Sequence, residues 1–199
     1  MIDFDSVRDG RLELSDLARG LTPVALAEAS RAMTADFIER LRAGADWDVT
    51  FVPDDPAADD TFAVDPAETR LAWTLGHVIV HVSASTEEAA FLAAELARGV
   101  EPHGRSRYEL PWPAVVTIEA CRDRLRESER MILATLGTWP DEPHLEVAYT
   151  TSGGLLRNAP ARFLGGLLHA DSHRTQVSKI LRQARIARGG TAASRTAAG

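Results

Sequence analysis

Residues 65–98 read DPAETRLAWTLGHVIVHVSASTEEAAFLAAELAR, and this stretch decides the fold. Leu71, Leu75, Val78, Val82, Ala89, Leu92 and Leu96 recur at helical spacing, which predicts one long amphipathic helix to about Arg98. Asp65 followed by Pro66 supplies an N-cap with proline at the first helical position. The cluster Ser83, Ala84, Ser85, Thr86 is a candidate bend, because hydroxyl side chains compete for backbone hydrogen bonds.

The same signals recur on both sides. Thr22 and Pro23 open a helix through Ala43, with Leu26, Ala29, Met33, Phe37 and Leu41 as its core stripe, and Gly44 ends it. Residues 45–64 lack periodicity and read as a surface loop with a short extended piece around Val49 to Val52. Downstream, Gly99 to Pro113 is long enough, at ~3.3 Å per residue when extended, to reach back along the molecule, so the next helix can run parallel to its predecessor. That third helix is expected over Pro113 to Leu136, with Val116, Ala120, Leu125, Ile132 and Leu136 inward. A small hairpin or ordered loop around Gly153-Gly154 follows, then a fourth helix from Pro160 to Arg188. The expected architecture is therefore all-α, a four-helix bundle forming one domain over residues 1–188, with 189–199 a disordered tail.

Composition narrows the function classes. The 199 residues are 45% hydrophobic, enough for a core, and the net charge of −7 argues against a general nucleic-acid binder. No apolar run approaches the ~18 residues of a membrane span. A single cysteine, Cys121, cannot form an internal disulfide, and with no leading apolar segment the chain reads as a reduced cytoplasmic protein. No G-x-S-x-G elbow, Walker loop or G-x-G-x-x-G element occurs.

The chemistry lies in the histidines. His77 and His81 are four apart on the second helix, and His169 and His173 are four apart on the fourth. Random placement of six histidines would give roughly 0.15 such pairs, and H-x3-H on a helix is a spacing by which two imidazoles reach one metal. Both pairs lie in apolar stretches, where an imidazole needs a hydrogen bond, an ionic partner or a metal. His103 and His144 sit beside prolines in polar connections and are expected at the surface.

The segments Trp73-Thr74-Leu75-Gly76-His77-Val78-Ile79-Val80-His81 and His169-Ala170-Asp171-Ser172-His173-Arg174-Thr175-Gln176 resemble the second-helix and fourth-helix motifs of the DinB/YfiT-like superfamily. The first is most similar to the Trp-Thr-x-Gly-His-x-x-x-His form of the mycothiol-dependent maleylpyruvate isomerase branch. The resemblance covers about residues 20–188 and implies that His81, His169 and His173 bind a divalent metal, zinc or nickel. His77 falls where other members vary, as a group behind the ligands or a fourth ligand. Three imidazoles leave a coordination position open, as catalytic sites do, whereas four close it and favour a structural role. Asp171, Asp36 and Glu39 are all candidates to orient the ligating rings.

The resemblance further implies a homodimer acting on a small-molecule substrate with a low-molecular-weight thiol, mycothiol or bacillithiol, and neither nucleic acid nor membrane as a partner. The isomerase branch carries a second domain after the bundle, and this chain ends in a short tail, so a single-domain thiol transferase is the leading expectation. A non-catalytic metal-stabilised bundle with a stress-related or interaction role and a metal-dependent hydrolase are the alternatives. Cys121 is expected to be a buried apolar residue, the nucleophile coming from the thiol cosubstrate. Trp112, Tyr108, Trp139 and Tyr149 frame a substrate mouth or plug the ends of the helices, and Arg105, Arg107 and Arg157 are candidates to hold a carboxylate. Gly165-Gly166 is expected to permit close helix approach.

Overall fold

The computed structural model describes residues 2–60, 63, 65–104 and 111–196, with side chains to residue 189 in the last helix. Among these the chain forms seven α-helices and one two-stranded antiparallel hairpin, which is the all-α class expected. The helices are α1 (Phe4–Arg8), α2 (Leu14–Leu17), α3 (Pro23–Arg40), α4 (Asp46–Thr50), α5 (Leu75–Ala97), α6 (Ile118–Leu136) and α7 (Ala159–Thr196). The strands are β1 (Ala148–Thr150) and β2 (Leu156–Asn158), with Tyr149 opposite Arg157. No helix among the described residues is long and apolar enough to cross a membrane.

Capping chemistry corrects several expected boundaries. Asp65 and Pro66 open only a 3-10 turn, Pro66–Glu68, in which the Asp65 carboxylate accepts from the Ala67 N–H. The helix proper starts at Leu75, where the Thr74 hydroxyl oxygen accepts from the His77 N–H at 3.3 Å. There is no break at Ser83 to Thr86, because the Ser83 and Thr86 hydroxyls donate back to the Ile79 and Val82 carbonyls at 2.8 and 2.7 Å. The third long helix begins at Ile118, not Pro113, with Thr117 as its cap, and Val116 is exposed. Residues 46–50 are helical and not extended: the Asp48 carboxylate accepts from the Ala45 N–H at 2.8 Å, and Val49 is fully buried. At the C-terminus the helix continues to Thr196, past Arg188 and through residues expected to be a disordered tail. The hairpin forms around Gly153-Gly154, and Gly154 takes a positive φ of 79° in its turn.

The long helices run in two parallel pairs. Arg124 on α6 reaches Ser83 and Glu87 on α5, and Gly76 near the start of α5 lies against the Val115 carbonyl, so α5 and α6 run the same way, as the long Gly99–Pro113 connection allows. Arg174 bonds Asp36 and Ser178 bonds Arg40, so α3 and α7 are also parallel. Between the pairs the sense reverses, with Gly166 of α7 facing Ala89 of α5 and His169 facing His81. Phe37, Leu41, Val78, Ile79, Leu125 and Ile180 make one apolar layer between these helices. Leu26, Leu96, Ile132, Phe163, Leu164 and Leu167 make a second.

Gly166 sets the spacing of α5 and α7. A Cβ at this position would overlap the Cβ of Ala89, whereas a Cβ on Gly165 would meet the flexible end of Arg157 and make ordinary contact with Leu14. Gly166→Ala is accordingly expected to cost about 1–3 kcal/mol through overpacking. Gly165→Ala, which gains helix propensity, should be neutral or stabilising. Urea unfolding of the two variants checks this, and equal destabilisation would show that neither glycine sets the spacing.

Trp139 is buried and Tyr149 packs on the guanidinium of Arg162, 5.0 Å from ring centroid to carbon, so both act as plugs. Cys121 is fully buried, and that burial pushes its thiol up to about 12, which leaves it inert as a nucleophile at neutral pH.

Candidate metal centre

The Thr74 cap sets the phase of α5 so that His81, in its second turn, points at α7. On α7, His169 and His173 lie one turn apart on the face presented to α5. The close approach at Gly166, one turn before His169, brings the two backbones near enough for imidazoles to meet.

They do meet. His81 Nε2 and His169 Nε2 are 2.8 Å apart, and one ligand atom from each of His81, His169 and His173 lies within 4.8 Å of the others. The ring centroids are separated by 5.0, 5.2 and 4.7 Å, and every pair of rings is edge-on, at 66°, 69° and 76°. Three imidazoles turned edge-on to a common point form a tripod that can hold a metal ion. At a metal–nitrogen distance of ~2.0–2.1 Å, tetrahedral ligand nitrogens sit ~3.3 Å apart, so His81 and His169 need open by about half an ångström to share an ion. Among the described residues this is the one group of three or more histidine, cysteine or acidic side chains so arranged.

The ring of His173 is oriented by an amide and not by any of the three expected carboxylates. Its Nδ1 lies 2.7 Å from Gln176 Oε1, so Nδ1 carries the proton and donates it to the amide oxygen, leaving the Nε2 lone pair available. The i, i+3 spacing on one helix was the available signal. The three carboxylate candidates are engaged by arginines. Asp36 accepts two 2.8 Å bonds from Arg174 and a 2.6 Å bond from Arg40. Burial pushes its carboxyl up, but these bonds outweigh the burial and hold it below the ordinary range. Asp171 pairs with Arg174 at 2.7 Å and with Arg8, and Glu39 pairs with Arg42 at 3.1 Å on the surface. This alternating chain of charges ties α1 and α3 to the helix that carries two of the histidines.

His77 stands outside the converging group. Its ring is stacked between Trp73, at 4.4 Å and 24°, and Trp112, at 4.6 Å and 1°. Trp73 also covers His81 at 4.6 Å and His173 at 6.0 Å, so the two tryptophans and His77 form an aromatic wall beside the tripod. Trp112 therefore belongs to the site, unlike Trp139 and Tyr149. His103 and His144 are exposed as expected and bond Glu95 and Glu146 at 2.7 and 2.8 Å. Arg157 lies in β2 beside Gly165, while Arg105, Arg107 and Tyr108 lie outside the described residues.

Burial lowers the pKa of His173, the neighbouring His81 lowers it further, and the Gln176 bond only partly offsets them. A neutral imidazole is the form that binds metal. Because the folded pKa lies below the ordinary 6.5, the unfolded chain binds this proton more tightly. Metal-free stability is thus complete above about 6.5 and falls as the pH drops below it, until the folded group is itself protonated. Urea midpoints at about pH 7.5 and about pH 5.5 should show this drop, and His173→Gln should reduce it. An equal drop in the variant would assign the acid sensitivity elsewhere.

No family model, curated protein or solved structure matches this chain, so the functional reading rests on the tripod and its surroundings.

Proposed function

We propose that the chain is a DinB/YfiT-like four-helix bundle, a single domain over residues 1–188, in which His81, His169 and His173 hold zinc or nickel for thiol transfer. The low-molecular-weight thiol would be mycothiol or bacillithiol and the acceptor a small molecule, with a homodimer in the cytoplasm as the working form. The observation that carries the reading is the set of three converging imidazoles, with His77 held aside between two tryptophans. Three protein ligands leave room for a fourth, which is the catalytic pattern and not the closed structural one. A divalent cation bound there supplies the Lewis acidity that makes a thiol ionise at neutral pH.

The chain's own residues do the rest. Gln176 fixes the tautomer of His173, and Trp73 covers one side of the tripod, excludes water from it and offers a flat apolar surface to a substrate. Cys121 takes no part, since its buried thiol stays protonated. The sulfur nucleophile must therefore come from a cosubstrate.

Cobalt-loaded protein provides the test. Saturating mycothiol or bacillithiol is expected to change the visible absorption of the cobalt, and His77→Phe should retain that response. Cobalt that binds but ignores both thiols would rule out the transferase reading and leave the hydrolase or structural alternatives.

A further inference from the structure

Among the described residues, every arginine without an ion pair is exposed except Arg157 and Arg162, which are half-buried. The two are neighbours. Arg157 stands opposite Tyr149 in the hairpin, and Arg162 of α7 donates from Nη1 to the Tyr149 hydroxyl at 3.2 Å with its guanidinium over the ring. The strand is pinned just before Arg157, where the Ser15 hydroxyl of α2 donates to the Leu156 carbonyl at 2.8 Å. From there the Arg157 side chain runs onto α7 at Gly165, where a Cβ would come within 3.1 Å of its Nη1. Glycine at this position lets a guanidinium lie against the helix backbone.

Helical spacing relates this pair to the tripod. Arg162, Gly165, His169 and His173 follow one another at intervals of three and four residues, so they share one face of α7. Gly165 precedes His169 by ~6 Å along the axis and Arg162 precedes it by ~10 Å. Trp73 lies toward the other end of the site, against His81 and His173. A small molecule with one end at the tripod can therefore have its other end at the two arginines. Guanidinium groups drawn partly out of water favour a counter-charge, and their paired N–H groups match the two oxygens of a carboxylate. The chain has acids to spare, 29 against 22 bases, yet no described carboxylate lies within ion-pair reach of either arginine.

We propose that Arg157 and Arg162 form a carboxylate subsite, so that the small molecule handled at the tripod is an organic acid; this rests on the reading of His81, His169 and His173 as a metal centre. The test titrates cobalt-loaded protein calorimetrically with 4-mercaptobutyrate and with 4-mercaptobutanol, thiols of equal length that differ in the charged end. Wild type is expected to bind the acid about 10–100-fold more tightly than the alcohol, the contribution of a charge-assisted hydrogen bond. In R157Q/R162Q the preference should disappear, while cobalt uptake and affinity for the alcohol stay at the wild-type level. Arg157→Gln alone leaves the contact of Arg162 with Tyr149 in place and should lose a large part of the preference, which decides the matter if the double variant does not fold. Wild type that takes up no cobalt overturns the metal centre and the subsite with it. Wild type that takes up cobalt but does not favour the acid overturns the subsite alone, as does a preference that persists undiminished in the arginine variants.

Discussion

Replacing His169 by alanine is expected to weaken binding of an added divalent metal by more than ~100-fold, because even loss of a group that only orients a ligand costs ~10–100-fold. His169 is the geometric link of the tripod: its Nε2 lies against that of His81, and its ring centroid is 4.7 Å from that of His173. Without it two imidazoles remain, one on each helix, and two ligands seldom hold zinc in a protein. Gln176→Ala should fall in the ~10–100-fold range, since it frees the tautomer and rotation of His173 but removes no ligand. His77→Phe, which keeps an aromatic ring between Trp73 and Trp112, should leave the metal content unchanged. Metal content after dialysis and competition with a chelating indicator measure all three. Full metal occupancy in His169→Ala would place the site elsewhere, and loss of metal in His77→Phe would make that residue a fourth ligand.

The second large effect is structural. Arg124 on α6 and Glu87 on α5 form an ion pair whose side chains are only 10% and 13% exposed, and Ser83 accepts a further bond from the same guanidinium. Arg124→Met leaves Glu87 as a carboxylate out of water with no cation beside it, at an expected cost of about 3–5 kcal/mol. Arg124→Met combined with Glu87→Met removes both charges and should recover most of that loss, because the pair's attraction and its desolvation nearly cancel. Denaturant unfolding of the single and double variants gives the comparison. If the double variant is as unstable as the single, the pair contributes through packing of the long side chains and not through charge.

Much of the site could be read along the chain because helical spacing is local. His169, His173 and Gln176 share one helix, and residues three and four apart share a face whatever the rest of the molecule does. The match of apolar period to helix is equally local, which is why α3 and the middle of α5 stand where periodicity puts them. Boundaries were less legible. The cap signal at Asp65-Pro66 is local, whereas the helix is capped at Thr74, where Gly76 packs on the Val115 carbonyl and Val49, contacts made by distant parts of the chain. The short helix α4 escaped for the same reason: five residues have no period to detect, and its start is held by Asp46 accepting from the Ile118 N–H at 2.9 Å.

His77 marks the division most clearly. By sequence it is equivalent to His81, four residues away on the same apolar helix, and spacing alone assigns both to one face. One turn of α-helix advances 5.4 Å, however, and four residues overshoot that turn by ~40°. Each turn thus meets different neighbours: His81 lies against α7 and His77 against Trp112, a residue contributed by a separate 3-10 turn. The sequence by itself determined that this is a helical protein with paired histidines at a spacing suited to metal. Spacing alone left open which of the four converge, and tertiary structure brings together His81, His169 and His173, the three that the resemblance named, because convergence depends on how closely α7 approaches α5 at Gly166 and on which tryptophans occupy the remaining space.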